Sequence, residues 1–175
     1  MSTIFILDPG AQYLSEQEGL FADWFSTHPP THRRIEVLLG MTSMNIDHFH
    51  EMMTLASIVE REVRSAEDMK VVAGIFYTRM KIGMALQADS TVNYVTGKSE
   101  ASVSLEDSRV DSPYNTYQNL GLPPGPISNP GMNAILAVLE PTDSDYLYFL
   151  TTDDGDVIFA QTFDEHVANK YQYLK

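Results

Sequence analysis

Glu60 is the residue in this sequence best set up for chemistry. It follows Leu55-Ala-Ser-Ile-Val59, an apolar stretch on both sides of a helix turn. A carboxylic acid among apolar groups has its pKa raised, because desolvation penalises the charged form. A glutamic acid still protonated near neutral pH can serve as a general acid. Glu62 is the next acid along. On a helix it lies roughly 200° around from Glu60, so the two cannot point into one cleft. Arg61 and Arg64 offer each glutamate an ion-pair partner, and a solvated or salt-bridged helix edge is the plain alternative to catalysis.

Two further stretches gather polar and planar side chains. One is Leu86-Gln87-Ala88-Asp89-Ser90-Thr91-Val92-Asn93-Tyr94, the other Ser112-Pro113-Tyr114-Asn115-Thr116-Tyr117. Sugar sites have this composition: aromatic rings for stacking, and amides and hydroxyls for the sugar's own hydroxyls. Loop turns held by capping side chains have it too. Leu122-Pro123-Pro124-Gly125-Pro126 reads as a rigid turn, with a polyproline ligand as the other option. The five histidines make a poor metal set. His48 and His50 are two apart and face away from each other on a helix, and there is no His-Glu-x-x-His pattern. No metal and no cofactor is expected. Ser57 lacks the Gly-x-Ser-x-Gly setting of a serine hydrolase.

These side chains need elements to position them. Phe49, Met52, Met53, Ala56, Val59 and Val63 recur at three- and four-residue spacing, which predicts a helix over 46–64. Ser65 is a helix cap, with Asp68 three positions on. Met69, Val72, Ala73, Phe76 and Met80 line one face of a second helix that stops at Gly83. Residues 84–128 read as long ordered loops, since their aromatic and aliphatic content argues against disorder. Asn129-Pro130 opens a third helix, with Asn as cap and Pro at the first helical position, running to Leu139. Strands over 146–150 and 157–160 flank Asp153-Asp154-Gly155-Asp156 as a hairpin. Thr162 and Glu165 form a capping box for a last helix ending near Leu174. Helices followed by a hairpin and its helix give an α+β class. Residues 1–25 read as short apolar pieces broken at Asp8-Pro9-Gly10, and 26–34 as a proline-bearing loop.

At 175 residues, 43% of them hydrophobic, the chain is the size of one domain and needs no staple to fold. It has no cysteine, which excludes disulfides, thiolate nucleophiles and Cys-ligated zinc. Its 11 Lys and Arg against 24 Asp and Glu give a net charge of −13. That excludes the usual duplex nucleic-acid binders and adhesion to anionic lipid. No apolar run is long enough to span a bilayer, and Met1–Asp8 is too short an apolar stretch for a signal peptide.

Taken in order, these segments resemble the YceG/MltG-like endolytic murein transglycosylases. Ala56-Ser-Ile-Val-Glu60-Arg-Glu62 is similar to the family's Ala-Ser-Ile-Val-Glu-Lys-Glu. Phe76-Tyr-Thr-Arg79 and Leu86-Gln-Ala-Asp89 resemble its arginine-containing helix and Leu-Gln-x-Asp loop. So do Ser112–Tyr117, Gly121-Leu-Pro-Pro-Gly-Pro-Ile127, Asn129-Pro-Gly131, Tyr146–Phe149 and Phe163–His166. Glu18-Gly-Leu-Phe-Ala-Asp23 resembles a shortened form of the family's opening motif, so the likeness spans about residues 18–175, with 1–17 as an extension or remnant.

The resemblance implies a single catalytic domain of a lyase. Glu60 would be the one acid–base group. Protonated, it would give its proton to the oxygen between N-acetylmuramic acid and the next N-acetylglucosamine. It would then take a proton from the muramic C6 hydroxyl, which closes onto C1 as a 1,6-anhydro end. The resemblance places Gln87, Asp89, Thr91, Tyr94, Tyr114, Asn115 and Thr116 in the substrate groove, with Pro124 and Gly125 in one wall. Peptidoglycan strands are the implied partner, with cell-wall synthases as candidate partner proteins. Family members carry an N-terminal membrane helix and a LysM-like domain. The expectation for this chain is a soluble domain without them, from a protein anchored in the cytoplasmic membrane and facing the periplasm or cell exterior. Asp89-Ser90-Thr91 stands where the family prefers Asp-Pro-Thr, which implies a less rigid loop. A non-catalytic glycan-binding or scaffold module is one competing reading. A lysozyme-like hydrolase using Glu60, Asp89 and a water is the other.

Overall fold

The first long helix, α1 (Ile46–Glu62), is apolar right around its middle. Thr54, Leu55, Ala56, Ser57, Ile58 and Val59 are all essentially inaccessible to solvent. A helix apolar on every side must be enclosed by other elements. The expected one-sided stripe is therefore too narrow a description, and Phe49, assigned to it, is exposed. The computed structural model describes residues 46–98 and 102–174. The readings for residues 1–34, including the Glu18–Asp23 motif, lie outside the described residues.

Ser65 caps α2 (Ala66–Lys81) as expected, its hydroxyl accepting from the backbone N–H of Asp68. Val72, Ala73, Ile75 and Phe76 of α2 are fully buried. Gly74 is needed here, because a Cβ at this position would lie 2.1 Å from the carbonyl oxygen of Thr142. α4 (Met132–Leu139) packs across both α1 and α2, and its buried Ala134 and Ala137 allow the close approach. The core is the junction of these three helices, and each large side chain buried there contributes about 1.5–3 kcal/mol.

Within 84–128 the loop expectation is only partly met. A helix, α3 (Asp89–Thr96), lies there, ended by Gly97 in the left-handed conformation, and Asp107–Arg109 make a 3-10 turn. The β-branched residues Thr91, Val92, Val95 and Thr96 disguise this helix, since they weaken helix propensity. The remaining loops in that stretch are ordered by side-chain bonds described below.

The third expected helix begins two residues later than proposed. Gly131, not Asn129, is the cap of α4, and Pro130 precedes it. The reason is a tertiary contact: the Gly131 N–H is donated to the Glu60 side chain, which leaves no cap role for Asn129. The hairpin is present, with β1 (Tyr148–Thr151) antiparallel to β2 (Val157–Ala160) and Tyr148 opposite Ala160. The capping box of Thr162 and Glu165 opens α5 (Phe163–Tyr173), which packs on the hairpin. Phe149 meets Phe76 edge-on at 5.9 Å between ring centroids, tying the hairpin to the helical core. The described residues form an α+β fold, five α-helices with one two-stranded antiparallel hairpin.

Candidate active site

Both glutamates emerge where α1 leaves the core, and each meets the start of a different helix. The Gly131 N–H, at the start of α4, donates to Oε2 of Glu60 at 3.0 Å. A Cβ on residue 131 would stand 3.3 Å from that same oxygen. Glu62 meets α3 instead. The Ser90 hydroxyl donates to its Oε1 at 2.6 Å, and the Ser90 N–H donates to the same oxygen at 3.2 Å. The angular separation expected on the helix is realised as two separate corners.

The corners differ in electrostatics. Burial pushes the Glu62 carboxyl up from the ordinary carboxylate range. The two Ser90 bonds pull against that shift, the negative charge of Asp89 adds to it, and the charge of Arg79 opposes it. Arg79 is itself buried. Its Nε donates to the Leu147 carbonyl at 2.7 Å, one terminal nitrogen donates to the Leu86 carbonyl at 2.5 Å, and the guanidinium lies over the Tyr148 ring. Burial draws its pKa down, though a guanidinium remains a cation. Arg79 thus joins α2, the 86–88 turn and the hairpin behind Glu62.

The predicted sugar-binding residues divide into two sets. Thr91, Asn115 and Thr116 are fully buried, and their polar groups are used inside the protein. The Thr91 and Thr116 hydroxyls lie 2.9 Å apart, and the Ala88 N–H donates to the Thr116 hydroxyl. The Asn115 amide donates to the carbonyls of Ser108 and Val110, and its oxygen accepts from the Tyr117 N–H. Thr91 and Thr116 fasten the 112–118 loop to α3, and Asn115 fastens it to residues 108 and 110.

The second set reaches solvent. Gln87 is exposed and has a left-handed backbone, φ 49°, uncommon for a residue other than glycine. Its N–H is held by the Thr116 carbonyl. Tyr94 is half exposed and packs on Tyr114 with centroids 5.0 Å apart. It lies one helical turn from Ser90 on the same face of α3. A side chain at buried Gly125 would touch the Tyr114 hydroxyl and the His50 ring. Pro124 is exposed on the rim of a groove of about 750 Å3 that also involves His50, Glu51, Leu55, Tyr77 and Val138, and neither glutamate lines this groove. Asp89 accepts a short hydrogen bond from the Tyr117 hydroxyl, whose pKa burial pushes well up.

Sequence reasoning set Glu62 aside and did not single out Ser90 or Tyr117. The signal was available for Ser90, a hydroxyl in the first turn of a helix beside an acidic stretch. It was hidden because α3 itself was read as loop. Ser57, rejected as a nucleophile, has a structural role. It accepts from the Ile127 N–H, and its carbonyl accepts from the Ser128 hydroxyl, which fixes the proline loop against α1.

Comparison with known proteins gives consistent results. A family model described as YceG-like matches residues 22–172. The chain is 42% identical over 144 residues to a protein of Bacillus subtilis (strain 168) named endolytic murein transglycosylase, covering 82% of this chain and 40% of that protein. It is 32% identical to the protein of the same name from Streptococcus pneumoniae serotype 2, covering 99% of this chain and 35% of the relative. A crystal structure of a YceG-like protein from Listeria monocytogenes superposes with a TM-score of 0.68 at 42% identity, covering 78% of this chain and 44% of that one. The chain therefore spans less than half the length of these relatives.

Proposed function

The chain belongs to the YceG-like family, and from that premise we propose that it is the catalytic part of an endolytic murein transglycosylase. Its substrate is the glycan strand of peptidoglycan, and its place of work is the wall side of the cytoplasmic membrane. Among the described residues no helix is long and apolar enough to cross a membrane. The names of the relatives support the activity.

One observation carries the mechanism: Glu60, the acid of the motif, stands partly exposed at the end of α1 with its carboxyl held by the Gly131 N–H, where a strand can reach it. Protonated Glu60 gives its proton to the glycosidic oxygen between N-acetylmuramic acid and N-acetylglucosamine as the C1–O bond breaks. The muramic ring passes through an oxocarbenium-like state. The Glu60 carboxylate then takes the proton of the C6 hydroxyl, O6 bonds to C1, and a 1,6-anhydro end leaves without consuming water. One carboxyl group serves both steps, unlike the carboxyl pair of most glycosidases. Gln87, Tyr94 and Tyr114 face the strand, Pro124 forms one wall, and Gly125 leaves room beside Tyr114. Asp89, Thr91, Asn115 and Thr116 hold that surface in place.

Glu62 is the second reading for the acid, because burial raises its pKa.

The test is mass spectrometry of the products formed from purified peptidoglycan. Anhydro-ended products are expected. Reducing-end products would replace the lyase by a hydrolase, and binding without products would replace it by a glycan-binding module.

A further inference from the structure

Residues 127–131 run along the last turns of α1 as a strap. At its first tie, the Ile127 N–H donates to the Ser57 hydroxyl at 2.9 Å, and the Ser128 hydroxyl donates to the Ser57 carbonyl at 2.9 Å. Ser57 is fully buried, and it donates its own hydroxyl proton to the Thr54 carbonyl at 2.7 Å. It therefore offers a sugar no surface. One turn further along α1, Glu60 accepts the Gly131 N–H on Oε2 at 3.0 Å. Positions 57 and 60 are neighbours on one helix face, so the tie at Ser57 sets where the strap reaches Glu60. Pro130 stiffens the strap just before Gly131.

We propose that Ser57 is a positioning residue for Glu60: it seats the 127–131 strap on α1 so that the Gly131 N–H holds Oε2 and leaves Oε1 to give and take the proton. This inference rests on the reading that Glu60 is the acid–base group.

The assignment of the two oxygens follows from hydrogen-bond chemistry. In a neutral carboxyl group the carbonyl oxygen is the better acceptor, and the hydroxyl oxygen carries the proton. The oxygen that accepts the Gly131 N–H is therefore the carbonyl one, and the proton stands on Oε1. Among the described residues, none donates to Oε1. The close approach needs glycine, since a Cβ at 131 would stand 3.3 Å from Oε2. A carboxyl group held at one oxygen meets the scissile linkage in a fixed orientation, and orientation of this kind is a large part of enzymatic rate. Without the Ser57 hydroxyl, the Ile127 N–H loses its acceptor and the strap is free to shift from Glu60.

The experiment measures kcat and KM of the full chain on soluble peptidoglycan strands, together with the NMR resonance of the Gly131 amide proton, at a temperature where every variant is folded. In Ser57→Ala, kcat falls about tenfold or more while KM stays near the parent value, and the Gly131 amide proton moves upfield as its bond is lost. Ser128→Ala, which removes the other tie and leaves the Ser57 hydroxyl in place, moves both readouts the same way by less. Ser57→Ala added to Glu60→Gln lowers the residual rate no further, because the serine acts only through that carboxyl group. A parent-like kcat in Ser57→Ala overturns the inference. So does an equal fold-loss from Ser57→Ala in the parent and in Glu60→Gln, which is the mark of a merely loosened fold. Activity that survives Glu60→Gln overturns the functional reading instead, whatever Ser57→Ala shows.

Discussion

Glu60 and Glu62 stand two residues apart at the end of α1, yet their surroundings differ. Glu60 accepts one bond, from the Gly131 N–H just before α4, and stays partly exposed. Glu62 lies against the first turn of α3, where burial raises its pKa and where a hydroxyl, a like charge and a buried guanidinium act on it together. The first corner leaves a carboxyl within reach of a substrate, and the second ties one into the frame.

The largest expected effect is on activity. Glu60→Gln lowers the rate of anhydro-end formation by about 10²–10⁴-fold, the usual contribution of a general acid–base group. Glu62→Gln changes it by less than roughly tenfold, or about 1.4 kcal/mol. Timed digestion of purified peptidoglycan, with circular dichroism to confirm folding, reads both. The opposite ranking would exchange the roles of the two corners.

Next comes the scaffold behind Glu62. Asn115→Ala removes two donated bonds and one accepted bond from a fully buried amide. It should cost about 2–3 kcal/mol, seen as a lower urea midpoint with an unchanged slope. A change below about 0.5 kcal/mol would mean that the 112–118 loop does not depend on this amide.

The Glu60 corner should respond more mildly. Ala at position 131 suits the local backbone, φ −76°, but brings its methyl within 3.3 Å of Glu60 Oε2. Gly131→Ala should cost about 1 kcal/mol by thermal melting and lower the rate, because the methyl displaces the Glu60 carboxyl. A parent-like rate beside that loss of stability would remove Glu60 from the chemistry.

The smallest effect is on pH-dependent stability, and its sign is fixed. Folded Glu62 holds its proton more tightly than the unfolded chain does. Its contribution is complete below the ordinary carboxylate pKa and is lost as pH rises through the raised value. Glu62→Gln should therefore gain Tm relative to the parent between pH 5 and pH 8, by about 2–4 °C if the difference reaches about 1 kcal/mol. An equal Tm difference at both pH values would remove the strained acid from the account.

Much of the frame was legible in the sequence. Ser65 with Asp68, and Thr162 with Glu165, are caps that depend on a few adjacent residues, and both form as read. The hairpin around Asp153–Asp156 follows from turn chemistry of the same local kind. The site was legible in composition but not in roles. Thr91, Asn115 and Thr116 carry sugar-binding side chains, yet the fold consumes them internally, because the partners of a buried polar group are chosen by tertiary contacts. The burial of Glu62 was not legible, because with 89–96 read as loop nothing was available to enclose it. The start of α4 was misplaced for a similar reason, since the group satisfying Gly131 comes from Glu60, 71 residues earlier.

The central claim is that Glu60, not Glu62, faces the bond that breaks. A crystal structure of the Glu60→Gln chain with an intact peptidoglycan oligomer tests it most directly. The account predicts the bridging oxygen of a muramic acid–glucosamine linkage within about 3 Å of the residue 60 amide, with the C6 hydroxyl on the same side. A linkage seated against Glu62, with residue 60 still bonded to the Gly131 N–H and remote from the sugar, would contradict it.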